Sequence, residues 1–251
     1  MSKFFVREKQ IFNNSIEILD DDVNHIKNVL RLNVGEEIKI CNQDSSKNYN
    51  CKILEISSKK VICEIIEELN NKTEGNVELY IFQGLPKADK MELIIQKGTE
   101  LGVTEFIPVN MKRCIVKFDK KDEIKKIERW NKISEVAAKQ SGRDIIPKVR
   151  SLENVSVIEN QVKDFDLFLV AYEMEKDNYI KNELKKLKSL KDNYKIAVLI
   201  GPEGGLDLLE VEKLKLAGAK VISLGTRILR TETVALQVSS IIMYELENGG
   251  K

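Results

Sequence analysis

From Val77 onward the chain alternates strand-like and helix-like segments, and that alternation limits its fold more than any other feature. Strand-like runs occupy 78–84, 104–109, 167–172, 195–200 and 219–224. Apolar residues at helical spacing mark 89–101, 123–141, 178–187, 208–217 and 231–247. Alternation sustained over this length implies a mainly parallel α/β sheet with helices packed on it. Gly102, Gly142 and Gly218 follow three of the helices, where a left-handed C′ residue ends a helix without a Cβ clash.

The first seventy residues follow a different pattern. Phe4-Phe5-Val6 and the runs 37–41, 49–56 and 60–67 are β-rich. Val23, Ile26, Val29 and Leu30 recur at helical spacing after Asp20, Asp21 and Asp22, acids that suit a helix N-terminus. Several short strands and one helix suggest a small barrel-like domain. Residues 70–76 are polar and aperiodic and form the best linker candidate, so the expected domains are 1–70 and 77–251.

The chain has 251 residues, 42% of them hydrophobic and 32% charged, a soluble globular balance with material for a real core. No apolar run reaches the ~18 residues of a membrane span, and the N-terminus lacks the pattern of a signal peptide. A cytoplasmic protein without a membrane partner is expected. Cys41, Cys51, Cys63 and Cys114 form no C-x-x-C pair, and His25 is the lone histidine. That inventory argues against a metal site and for reduced, buried thiols. His25 reads as a structural or surface residue.

Net charge is +1, yet residues 110–150 hold thirteen basic and six acidic side chains, a local excess of +7. A basic segment inside a neutral protein is what a polyanion footprint looks like. A lysine-rich solvated helix face gives the same composition, so both readings stand.

Parallel α/β sheets bind ligands beyond the C-terminal ends of their strands. Three such ends are unusual: Ala171-Tyr172-Glu173, Gly201-Pro202-Glu203-Gly204-Gly205, and 224–233. No G-x-G, phosphate-loop or G-x-S-x-G pattern occurs, which removes the common NAD, ATP and serine-hydrolase signatures. Glu203 would repel a phosphate at a helix N-terminus. The glycines admit close backbone approach to a flat or curled ligand, and Pro202 stiffens the loop. An ordinary tight turn with an exposed Glu203 explains the same residues. In 224–233, Thr231 fits as the N-cap of the last helix, with Glu232 in its first turn. Capping leaves Arg227 and Arg230, interleaved with Ile228 and Leu229, unexplained. The last helix carries Val234, Ala235, Leu236, Val238, Ile241, Ile242, Met243 and Leu246 on more than one face. It is therefore either wedged inside the domain or partly covered by a partner.

Five stretches together resemble the ribosomal RNA small-subunit methyltransferase E family of the SPOUT superfamily. They are Gly84-Leu85-Pro86-Lys87 with 97–103; Arg129-Trp130; Gln140-Ser141-Gly142-Arg143; 200–205; and 224–234. The resemblance covers nearly the whole chain, because the β-rich N-terminus resembles that family's PUA-like RNA-binding domain. Three departures stand out: Lys139 replaces an acid, Leu206 an aromatic and Val234 an alanine.

The resemblance implies a knotted, parallel α/β SPOUT domain with a C-terminal trefoil, a homodimer whose interface includes the last helix, and S-adenosylmethionine as cofactor without metal. It implies methylation of uridine N3 in 16S rRNA, on naked rRNA or on the small ribosomal subunit. Cofactor contacts would come from Ala171, Tyr172 and Glu173; from Leu199, Ile200, Gly201, Pro202, Gly204 and Gly205; and from Leu224, Gly225, Ile228, Leu229, Arg230, Thr231 and Thr233. Arg230 would stabilise charge on the uracil ring, or else hold a loop carboxylate or RNA phosphate. Glu232 and Glu173 are candidate bases. Arg113, Lys117, Gln140 and Arg143 would bind RNA, and Lys139 would add to that charge. Two alternatives remain: a ribose 2′-hydroxyl target on tRNA or rRNA, and a non-enzymatic RNA-binding assembly factor.

Overall fold

The computed structural model describes residues 3–70, 73–187 and 193–247. The chain divides into two compact units. The first holds the residues up to Glu74 together with Ala138–Ile145, and the second holds Gly75–Ala137 and the residues from Ile146 onward.

The first unit contains one six-stranded sheet. Its strands are β1 (Lys3–Val6), β2 (Ile11–Phe12), β3 (Ser15–Leu19), β4 (Glu37–Asn42), β5 (Lys47–Ile56) and β6 (Lys60–Leu69). They run in the order β1-β4-β5-β6-β3-β2, an open path, and only the β1–β4 pair is parallel. A short helix α1 (Asp21–Asn24) continues into a π-helical turn at His25–Val29. Phe4, Ile16, Ile18, Ile26, Ile38, Ile40 and Ile53 form this unit's core. His25 packs edge-on against Phe4, with ring centroids 5.9 Å apart, in line with a structural role. Cys51 and Cys63 are fully buried here, and burial pushes both thiols up to about 12.

Of the expected linker, Asn71 and Lys72 lie outside the described residues. Its next two residues are bonded within the first unit. The Thr73 N–H donates to Asp144 at 2.7 Å, and Glu74 accepts from the Asp144 N–H at 3.0 Å.

Among the described residues of the second unit, all strand pairing is parallel. The strands are β7 (Val77–Gly84), β8 (Glu105–Asn110), β9 (Lys148–Val149), β10 (Glu153–Asn154), β11 (Leu167–Ala171), β12 (Tyr194–Ile200) and β13 (Lys220–Ile222). The sheet order is β10-β8-β7-β12-β11-β13, with β9 paired to β8. Central β12 is buried at every residue from Ile196 to Ile200, as a strand covered on both faces must be. The helices are α2 (Lys90–Glu100), α3 (Lys120–Ser141, whose last four residues belong to the first unit), α4 (Val155–Gln161), α5 (Ile180–Leu187), α6 (Leu208–Leu216) and α7 (Thr231–Leu246). Met91, Ile94, Ile95, Gly98 and Thr99 make the buried stripe of α2, which packs on α7. Gly102, Gly142 and Gly218 all take positive φ, as expected after a helix end.

The last helix is amphipathic within a single chain. Ala235, Val238, Ile242, Met243 and Leu246 are buried, against neighbours that include α2, α5, β7 and β12, while Thr233, Ser240 and Tyr244 are exposed. No helix among the described residues is long and apolar enough to cross a membrane.

Candidate functional site

Parallel strands end on one side of a sheet, and loops leaving adjacent strands meet there. Here β11 ends at Ala171, β12 at Ile200 and β13 at Ile222. The loops beyond them enclose a cavity of about 540 Å³, lined by residues 171–173, 200–205 and 223–231 with Lys90 and Val234. A volume of that order suits a small-molecule ligand. Of the residues expected around a cofactor, all line this cavity except Leu199 and Thr233. Leu199 is fully buried inside β12, and Thr233 is exposed on the first turn of α7. Lys90, Glu203, Ser223, Thr226, Arg227 and Val234 are lining residues outside that expected set.

The turn after β12 is shaped by its own protein neighbours. The Gly205 N–H closes it onto the Pro202 carbonyl at 2.9 Å. Gly205 has φ +70°, and a Cβ there would lie 2.2 Å from Glu173 Oε1. At Gly204 a Cβ would crowd the Arg113 backbone at 3.2 Å. The close approach expected toward a ligand is thus made, at these two positions, to protein groups.

Glu203, whose place in a glycine turn looked anomalous, accepts from the Lys87 N–H at 3.0 Å and from Lys90 Nζ at 2.9 Å. Burial alone would raise its pKa. The Lys90 hydrogen bond and the backbone donors outweigh that and hold the carboxyl below its usual range. Lys90 is held above its ordinary value, chiefly by the same hydrogen bond.

Thr231 differs from the expected N-cap. Arg230 is the N-cap, with no side-chain capping bond, and Thr231 is the first helical residue. The Thr231 hydroxyl instead donates to the Gly201 carbonyl at 2.7 Å and accepts from Gln83 Nε2 at 2.8 Å. Gln83 is fully buried and also donates to the Gly84 carbonyl. This relay ties the ends of β7 and β12 to the start of α7. Its sequence signal is one amide in the otherwise apolar end of β7, which strand periodicity does not single out. Arg230 is exposed and lines the cavity.

The basic segment separates into free and paired charges. Arg113 is exposed, and its Nη1 donates to the Gly204 carbonyl at 3.1 Å. Lys117 and Gln140 are exposed. Lys112 pairs with Asp207, Arg129 with Glu92 and Arg150 with Glu153. Arg143, expected to contact RNA, is 6% exposed, and its guanidinium grips Glu74 at 2.5 and 3.2 Å. Lys139 adds no free charge either, because it is buried and bonded to Asp22 at 2.6 Å. A guanidinium or ammonium desolvated in this way must be paired, and both are.

The chain is similar to known proteins over most of its length. The family described as RNA methyltransferase domain matches residues 73–243, and the family described as RNA methyltransferase PUA domain matches residues 18–66. The ribosomal RNA small subunit methyltransferase E of Bacillus subtilis is 42% identical, over 93% of this chain and 91% of that protein. The Mesomycoplasma hyopneumoniae protein of the same name is 33% identical over 94% and 96%. The crystal structure of ribosomal RNA small subunit methyltransferase E from Neisseria gonorrhoeae, bound to S-adenosyl methionine, superposes with a TM-score of 0.85 at 26% identity, covering 97% of each chain. A Legionella pneumophila protein in complex with the same cofactor gives 0.84 at 28% identity, covering 96% of each.

Proposed function

The chain belongs to the ribosomal RNA small subunit methyltransferase E family, and from that premise we propose that it methylates N3 of one uridine in 16S rRNA, with S-adenosylmethionine held in the cavity at the ends of β11, β12 and β13. The observation that carries this reading is the cavity itself: it is lined largely by backbone turns and has the volume for a nucleoside-sized ligand. The fit extends to charge. The acid in the glycine turn already has a cationic partner in Lys90, and an adenosyl ligand brings no phosphate for it to repel.

Residues 171–173, 200–205 and 224–231 would hold the adenosine, mainly through backbone donors and acceptors, which read a base edge without flexible side chains. When bound, the cofactor supplies an electrophilic methyl group. Uridine N3 is a poor nucleophile while protonated, so the site must stabilise negative charge on the ring. Arg230, exposed at the cavity and carrying a permanent charge, would do that electrostatically. Arg113, Lys117 and Gln140 are the RNA contacts retained in this reading, and Arg143 holds Glu74 instead. The PUA-like unit would add to RNA binding. A homodimer and a trefoil knot around the cavity belong to the same proposal; sedimentation at micromolar concentration tests the dimer.

The test is mass spectrometry of 16S rRNA nucleosides from cells lacking this gene. One 3-methyluridine should disappear, return with the wild-type gene and stay absent with Arg230→Ala. A 3-methyluridine content unchanged by the deletion contradicts the proposal.

A further inference from the structure

We propose that Lys90 is a positioning residue that clasps the 201–205 turn to the start of α7 and so shapes one wall of the cavity. The proposal rests on that cavity being the S-adenosylmethionine site. Lys90 opens α2, where a cation faces the positive end of the helix dipole. Helix formation gives no reason for it there. What does is the pair of carboxylates around it: Glu203 at 2.9 Å and Glu232 at 3.5 Å. Glu203 comes from the turn after β12, and Glu232 is the second residue of α7. The Glu203 oxygen that takes Lys90 also takes the Lys87 N–H. Three separate segments therefore meet at one ammonium.

Two carboxylates this close repel unless a cation lies between them, and partial shielding from water strengthens that repulsion. The side chains are 27% exposed at Glu203 and 14% at Glu232. Glu232 Oε2 is buried without a hydrogen bond. Among the described residues, Lys90 is the one cation within ion-pair range of either acid. Without it, the turn and the start of α7 carry like charges toward each other. The bonds from Thr231 to Gly201 and from Arg113 to Gly204 would then hold the turn against that repulsion.

Calorimetry with two probes tests this: S-adenosylhomocysteine, and 5′-methylthioadenosine, which lacks the amino-acid part. Lys90→Met should weaken both by a similar factor, about tenfold for the loss of a charged hydrogen bond. Lys90→Arg should keep most of the affinity for both. Adding Glu232→Gln to Lys90→Met removes the repulsion and should recover most of the loss. A loss confined to S-adenosylhomocysteine would overturn the clasp, because Lys90 would then touch the amino-acid part itself. No loss with either probe, or no recovery in the double variant, also overturns it. If Lys90→Met does not fold, Lys90→Gln carries the same comparison. A wild-type chain that binds neither probe sinks the cofactor reading, and the clasp with it.

Discussion

Two charged networks, one in each unit, use the same residue types to different ends. In the first unit, Asp144 is 3% exposed and accepts from Lys3 at 2.5 Å, the Thr73 N–H at 2.7 Å and Asn48 at 2.8 Å. Glu74 takes Arg143 and the Asp144 N–H beside it. With Lys3, Asp144 and Arg143 buried and each charge answered by a partner, this network holds Ala138–Ile145 onto the strands of that unit and leaves no charge for a ligand. In the second unit, Lys90 and Glu203 line a cavity and Glu232 pairs with Lys90, each partly exposed, with one cation serving two anions. Degree of burial and completeness of pairing, not residue type, separate a brace from a site.

The largest effect should fall on the buried network. Asp144→Ala leaves the Lys3 ammonium buried without its partner and should cost about 3–5 kcal/mol in urea unfolding. A loss under about 1 kcal/mol, the range of exposed pairs, would erase the contrast between the networks. Acid should reveal the same brace. Burial pushes the Asp144 carboxyl up, but its hydrogen bonds from Lys3, Thr73 and Asn48, with the Lys3 charge, bring it below the ordinary value of 3.8. A depressed folded pKa gives stability that is complete above the unfolded value and lost as pH falls through the folded one. Unfolding midpoints should therefore drop below about pH 4, and Asp144→Asn should remove that part of the slope.

Smaller effects should come from the cavity. Gly205→Ala places a side chain at φ +70° against Glu173. Glu173 can swing aside, so about 1–2 kcal/mol of backbone strain remains, read as weaker S-adenosylhomocysteine binding by calorimetry. Unchanged affinity would mean that the turn is not part of the ligand wall. Arg113→Ala removes one exposed hydrogen bond to Gly204 and should cost about 0.5–1.5 kcal/mol in the same assay. It should also lower the salt dependence of RNA binding by about one unit of slope. A change in RNA binding alone would free the cavity of any dependence on Arg113.

Much of the second unit was legible because buried parallel strands and amphipathic helices write their periods directly into the chain. β7, α2, β11, β12, α6 and α7 start and end within about two residues of their sequence-based bounds. The two-residue strands β9 and β10 and the short helix α4 are too brief to show a period. Membership of Ala138–Ile145 in the first unit depends on bonds to Lys3, Asn48 and Glu74, far away in sequence, so no local pattern reports it. The same limit made Arg143 and Lys139 look like surface cations. At the cavity, the turns were legible as glycine- and arginine-rich breaks in apolar runs. Lys90 and Gln83 were not, because each acts through partners more than a hundred residues away: Glu203 and Thr231.

The most direct test supplies purified protein with methyl-labelled S-adenosylmethionine and either naked 16S rRNA or small ribosomal subunits, then identifies the labelled nucleoside by mass spectrometry after complete digestion. The predicted product is 3-methyluridine alone, formed by wild type and absent with Arg230→Ala, a variant that should still bind S-adenosylhomocysteine. Label on a ribose 2′-hydroxyl, or RNA that stays unlabelled with both substrates, would contradict it.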